Sequence, residues 1–287
     1  MLRHYVRGFR VLDELSPRAP REIAAMYQTL LLEISGNVAT ITLNRPEKRN
    51  AISTPMMAEL QTALDEIEKS HARVGILTGA GKAFCAGMDL DMLAAIAKQS
   101  PAENQEDSRR IAKLFRRIWS FPRPLIAAVN GAAYAGGCGI ATLCDFTLAV
   151  PEAKFGYTEV KIGFLPAIVS VFLTRQIGEK RCRDLLLTGR ILEAPEAKEF
   201  GLVSEVVPAE RLMERAHELA NLLIAASPSS LTRSKHLLVS SAAASVDHDL
   251  ERAILENARI RCTPDFQEGL ASFLEKRKPV WQGDSEK

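Results

Sequence analysis

Residues 125–145 read LIAAVNGAAYAGGCGIATLCD, and the fold is decided there. The apolar run Leu125-Ile126-Ala127-Ala128-Val129 has the length and composition of a strand covered on both faces. Asn130-Gly131 breaks it. Gly136-Gly137 then leads into Ile140-Ala141-Thr142-Leu143-Cys144, whose composition is helical. A strand that ends in a glycine turn and feeds a helix leaves backbone N–H groups unpaired at the helix start, with the positive end of the helix dipole behind them. Such a turn suits an anion, and glycine lets a ligand approach the main chain without Cβ obstruction. The same turn serves equally well for tight packing of helix on sheet, so alone it decides no function.

Upstream, the pattern recurs. Val74-Gly75-Ile76-Leu77-Thr78 reads as a second apolar strand, followed by Gly79-Ala80-Gly81-Lys82-Ala83-Phe84-Cys85-Ala86-Gly87-Met88-Asp89-Leu90. Phe84 stands where a dinucleotide fingerprint needs its third glycine. A phosphate loop is excluded too, since Ile76 lies five before Gly81 and Ala83 follows Lys82 where Ser or Thr is required. What remains is strand, glycine turn and a helix beginning near Met88. Two such units can aim two backbone N–H groups at one point, the arrangement of an oxyanion hole.

Composition narrows the classes. With 47% hydrophobic and 25% charged residues among 287, the chain is an ordinary globular protein of one large domain, or a core with a smaller module. A net charge of +2 is too small to make nucleic acid the main partner. Cys85, Cys138, Cys144, Cys182 and Cys262 form no CxxC pair and read as reduced thiols of a cytoplasmic protein. No histidine stands at ligand spacing from another His or a Cys, so no metal is expected. His248, between Asp247 and Asp249, reads as solvated surface. No apolar run reaches the roughly 18–20 residues of a membrane span. Residues 1–27 carry Arg3, Arg7, Arg10, Arg18 and Arg21 interrupted by Asp13, Glu14 and Glu22, so they read as an extension rather than an acid-poor transit peptide.

Further strands are expected at 38–43, 146–150, 154–156 and 202–207. Thr54 is expected to cap a helix with Pro55 at its first position and a core face of Met57, Leu60, Leu64 and Ile67. Residues 95–108 are polar and read as a mobile connection. Ile111, Leu114, Phe115, Ile118 and Trp119 mark an amphipathic helix ended by Phe121-Pro122-Arg123-Pro124. Helices at 179–188 and from Pro195 close on Gly189 and Gly201. From Ala209 the chain is helical, with breaks at Ser227-Pro228 and Thr263-Pro264. Coarse repetition of strand, turn and helix suggests stacked turns of a spiral.

GKAFCAGMDL, then NGAAYAGGCGIATLCD, then AKFGYTEVKIGFLP, with FLEKRKP near the end, resemble the enoyl-CoA hydratase/isomerase family, the crotonases. The resemblance runs from about Val38 to Pro279. It implies an α/β fold, a ββα spiral superhelix at 28–226, with a C-terminal helical trimerisation module at 227–287. It implies a homotrimer or dimer of trimers, an acyl-CoA thioester substrate and no separate cofactor, coenzyme A being part of the substrate. The oxyanion donors carry over as the N–H groups of Met88 and Gly136, with Ala86, Asp89 and Leu90 beside them. Lys48, Arg49 and Ala51 carry over as CoA contacts, and Lys276 as a phosphate contact often made across a subunit boundary.

The family's two catalytic glutamates fall on Gly139 and Glu159, so one acid is missing and Gly139 is expected to leave open space for the substrate. YAGGCGI together with FGYTEVKIGFLPAIVS looks more like hydratases of short, branched substrates such as methylglutaconyl-CoA. The expectation is hydration or dehydration of a short or branched 2-enoyl-CoA with a single acid. Double-bond isomerisation is the runner-up. Acyl-CoA hydrolysis or decarboxylation, and binding of CoA esters or RNA without turnover, remain open.

Overall fold

The computed structural model describes residues 21–22, 27–96 and 98–282. Most of the expected extension at 1–27 lies outside the described residues. Eleven strands are present among those described: β1 (Arg21–Glu22), β2 (Leu30–Ser35), β3 (Val38–Leu43), β4 (Val74–Gly79), β5 (Ala83–Cys85), β6 (Leu125–Val129), β7 (Ala132–Tyr134), β8 (Phe146–Ala149), β9 (Lys154–Gly156), β10 (Ile191–Glu193) and β11 (Glu205–Val206). The helices are α1 (Thr54–Lys69), α2 (Leu90–Ile96), α3 (Pro101–Trp119), α4 (Gly136–Leu143), α5 (Ala167–Ile177), α6 (Glu179–Thr188), α7 (Ala194–Phe200), α8 (Leu212–Ala225), α9 (Pro228–Ile260) and α10 (Pro264–Leu274).

A seven-stranded sheet runs in the order β1-β2-β3-β4-β6-β8-β11, and a four-stranded sheet in the order β10-β9-β7-β5. β2 pairs antiparallel with β1 and β3, while β3, β4, β6, β8 and β11 are parallel. Each turn of the chain places one strand in the large sheet and the next in the small one: β4 then β5, β6 then β7, β8 then β9. That alternation is the spiral suggested by the repeats, in the ββα form that the family resemblance implies. Every residue of β6 is buried, as a parallel strand covered on both faces requires. The apolar stripe of α1 is buried as expected, although Ser53, not Thr54, is its N-cap, accepting from the Met56 N–H. The expected strand at 202–207 shrinks to β11.

Residues 95–108 depart most from expectation. Instead of a mobile connection, the described residues there include the end of α2 and the first two turns of α3, opened by a capping box in which Ser100 and Glu103 satisfy each other's orphan N–H groups. Asn104, Asp107 and Ser108 are buried there because polar partners meet them. Arg261 at the end of α9 donates to Asp107 at 2.8 Å, and Ser108 donates to Asn257 at 2.9 Å. The helical C-terminal part is tied to the spiral elsewhere by Lys235, whose Nζ lies 2.6 Å from Asp145 while the same carboxylate accepts from the Leu125 N–H.

Candidate functional site

A cavity of about 640 Å³ opens beside the two glycine turns. Its position follows from local backbone chemistry. Gly87 has φ +94°, and a Cβ there would stand 3.1 Å from both the Ala135 Cβ and the Tyr134 carbonyl oxygen. Only glycine permits that approach, so the turn after β5 rests against the turn after β7. Ala135 itself is strained, at φ +49° and ψ −125°. Residues in left-handed backbone thus precede both Met88 and Gly136.

The consequence is two unused donors in neighbouring turns. Ile52 bridges the chain at Met88 by donating to the Gly87 carbonyl and accepting from the Asp89 N–H, which leaves the Met88 N–H turned the other way. Gly136 is the first residue of α4, where no intrahelical acceptor exists. Among the described residues neither N–H has a hydrogen-bond acceptor. Met88 and Gly136 both line the cavity.

Glu159 lines it too. It opens a 3-10 turn, Glu159–Ile162, that is ended by Gly163 and pressed from behind by α10. Only 8% of Glu159 is exposed, and its Oε2 has no hydrogen-bond partner. Burial pushes the carboxyl from 4.5 up to about 7, because the charged form is desolvated with no cation beside it. Asp89, the other buried carboxylate on the wall, behaves oppositely. Burial raises its pKa, but Arg45 at 2.8 Å and the Asp91 N–H outweigh that and hold it below the ordinary value. Two N–H donors and one unpaired carboxylate can stabilise charge on a carbonyl oxygen and move one proton.

The other sequence candidates divide. Ala86 and Leu90 line the cavity, as do Lys48, Arg49 and Ala51; Lys48 and Arg49 are exposed and mark its mouth. Lys276 is exposed and off the cavity wall, although Phe273, one turn earlier, is on it. Gly139 needs a correction. It leaves no open space opposite Glu159: a Cβ there would lie 2.8 Å from the Phe115 ring and 2.8 Å from Val169 Cγ1, and the residue is not on the cavity wall. Phe115 and Val169 close the region around position 139. The sequence reading missed Asn257, a buried amide of α9 on the wall. Its neighbours in sequence are those of any polar helix, so no signal marked it.

No helix among the described residues is long and apolar enough to cross a membrane. Nor do three or more His, Cys, Asp or Glu side chains gather among them as a metal site.

The sequence matches the enoyl-CoA hydratase/isomerase family profile over residues 33–284. A Thermus thermophilus protein, named provisionally as an enoyl-CoA hydratase, is 45% identical over 245 residues, covering 85% of this chain and 97% of the relative. The short-chain-enoyl-CoA hydratase of Clostridium acetobutylicum is 35% identical over 254 residues, covering 87% and 95%. The crystal structure of an enoyl-CoA hydratase/isomerase from Xanthobacter autotrophicus Py2 superposes with a TM-score of 0.81 at 31% identity, covering 88% of this chain and 98% of that one. Matches that span the spiral and nearly the whole length of each relative settle the kinship: this chain belongs to the enoyl-CoA hydratase/isomerase family.

Proposed function

We propose that this enzyme adds water to, or removes it from, a short or branched 2-enoyl-CoA thioester, using Glu159 as its single acid and base. The supporting observation is that Glu159 is a buried carboxylate without a partner, lining the same cavity as two free N–H groups, with its pKa raised to about 7. A group so poised can both take and return a proton near neutral pH.

In this reading the Met88 and Gly136 N–H groups hold the thioester oxygen. The water oxygen bonds to C3 as Glu159 takes its proton, and the C2=C3 electron pair moves into an enolate on the thioester. Glu159 then returns the proton to C2. One water has been added and the carboxylate is regenerated, so no second acid is needed. Lys48 and Arg49 at the mouth would meet the CoA nucleotide. Coenzyme A enters as part of the substrate, and the working form is a homotrimer or a dimer of trimers.

Isomerisation has one specific observation in its favour. A lone carboxylate suffices to carry a proton between C4 and C2, and the Glu159 Oε2 has no hydrogen-bond partner. Incubation with crotonyl-CoA, a branched 2-enoyl-CoA and a 3-enoyl-CoA, followed by chromatography and mass spectrometry, separates the readings. Gain of one water supports hydration. Rearrangement at constant mass, or release of free CoA as the only product, would overturn it.

A further inference from the structure

Asn257 is fixed more tightly than a wall residue needs to be. Its Oδ1 accepts from Arg261 Nη2 at 2.8 Å and from the Ser108 hydroxyl at 2.9 Å. A guanidinium can only donate, so the amide cannot flip, and its NH2 must face away from Arg261. One of the two Nδ2 hydrogens reaches the Leu165 carbonyl at 3.3 Å. The second has no acceptor among the described residues, and the residue lines the cavity.

The position along α3 says which part of a substrate this donor meets. Phe115 approaches Gly136 at the thioester end, with 3.7 Å between its Cζ and the site of a Gly136 Cβ. Ser108, which holds Asn257, lies seven residues earlier on the same helix, roughly 10 Å along the axis. The donor therefore stands toward the tail of a bound acyl group, away from the reacting carbons.

Its charge environment says what kind of tail. Arg261 is buried, is 2.8 Å from the Asp107 carboxylate and lies behind the amide, so its charge is already matched. Arg110, the other cation on Asp107, is half in solvent. A tail carboxylate would be desolvated here without a cation of its own, whereas a neutral oxygen would find a donor. A plain alkyl tail would displace water and strand the N–H.

We infer that Asn257 forms a polar subsite selecting acyl-CoA thioesters whose tail carries a neutral oxygen, a ketone or a hydroxyl. The inference rests on the acyl-CoA reading above and names the substrate class within it.

Binding of saturated, unreactive thioesters tests it apart from turnover. Isothermal titration would compare hexanoyl- and octanoyl-CoA with counterparts bearing a ketone on the penultimate carbon or a terminal carboxylate. The ketone should bind roughly 10- to 100-fold tighter than the alkyl chain, the range for satisfying one buried donor, and tighter than the carboxylate. Asn257→Asp keeps an acceptor for Arg261 and Ser108 but removes the NH2, and should erase or reverse the preference for the ketone. Asn257→Ala should erase it as well, and folding of both is checked by circular dichroism.

Equal affinity for all three tails in the parent, or tightest binding of the carboxylate, would overturn the inference. So would a preference that survives both substitutions, which would leave Asn257 as a clamp on Arg261 alone. Hydration of crotonyl-CoA and of a branched 2-enoyl-CoA is scored separately: absence of both with the tail preference intact would sink the hydratase reading and leave the subsite standing.

Discussion

Replacing Glu159 by Gln separates what this carboxyl does for the reaction from what it does to the fold. In the folded chain its pKa is raised from 4.5 to about 7. Between those values the folded state keeps a proton that the unfolded state has lost, so stability falls as pH rises through this window. At roughly 1.36 kcal/mol per unit, the loss is complete above about pH 7 and amounts to about 3 kcal/mol. Below about pH 4.5 the side chain is neutral in both states and the penalty vanishes. Glutamine carries no charge at any pH. Glu159→Gln should therefore match the parent in urea unfolding near pH 4 and exceed it by about 3 kcal/mol near pH 8. Turnover should meanwhile fall by roughly 10²–10⁴-fold. In the parent, kcat/KM should rise with pH to a plateau through about 7, with no alkaline limb from this group. A stability difference that does not change with pH would show that Glu159 is not desolvated. Activity within a factor of a few of the parent would remove it from the chemistry.

Gly139→Glu should not install a working second acid, because its Cβ alone would press on Phe115 and Val169 at 2.8 Å. A loss of about 1–3 kcal/mol in urea unfolding is expected, with slower crotonyl-CoA hydration; a folded, faster variant would refute the packing argument. Ala135→Gly relieves the backbone at φ +49° and should raise the melting temperature by a few degrees while lowering turnover, because the turn that aims the Gly136 N–H is loosened. Unchanged values of both would show that the strain is not felt. Sedimentation at micromolar concentration should give three or six times 31.5 kDa, since Leu222 of α8 and Leu237 and Leu238 of α9 are exposed apolar side chains; a monomer would refute it.

What could be read from the chain followed from backbone chemistry. LIAAV has no polar residue for solvent and became the fully buried β6, and the two glycine turns had to lie at strand ends. The face of Met57, Leu60, Leu64 and Ile67 is apolar at helical spacing and is buried. What could not be read depended on partners distant in sequence. Asn104, Asp107 and Ser108 look like solvent-facing residues until Arg261 and Asn257 arrive from some 150 positions away. Polarity was mistaken there for mobility, although Ser100-Pro101-Ala102-Glu103 carried a capping-box signal. Position 139 failed for a similar reason. The absence of a side chain looks like space, but Phe115 and Val169 already occupy it.

The order of synthesis gives the close docking of α10 a further meaning. Gly269 packs its Cα against the Ile162 carbonyl, and Phe266 and Leu270 cover Leu93 and Ile96. Asn257 and Phe273 line the cavity, and the helices that carry them are made after the turn bearing Glu159. Strands such as β4 and β6 can pair while α9 and α10 are still being made, but the turn bearing Glu159 then lacks its backing. During that interval Phe266 and Leu270 cannot yet cover Leu93 and Ile96, and pairing across the long separations of parallel strands is slow. The cavity that holds Glu159 is therefore complete only once the helices made after the spiral have settled on it.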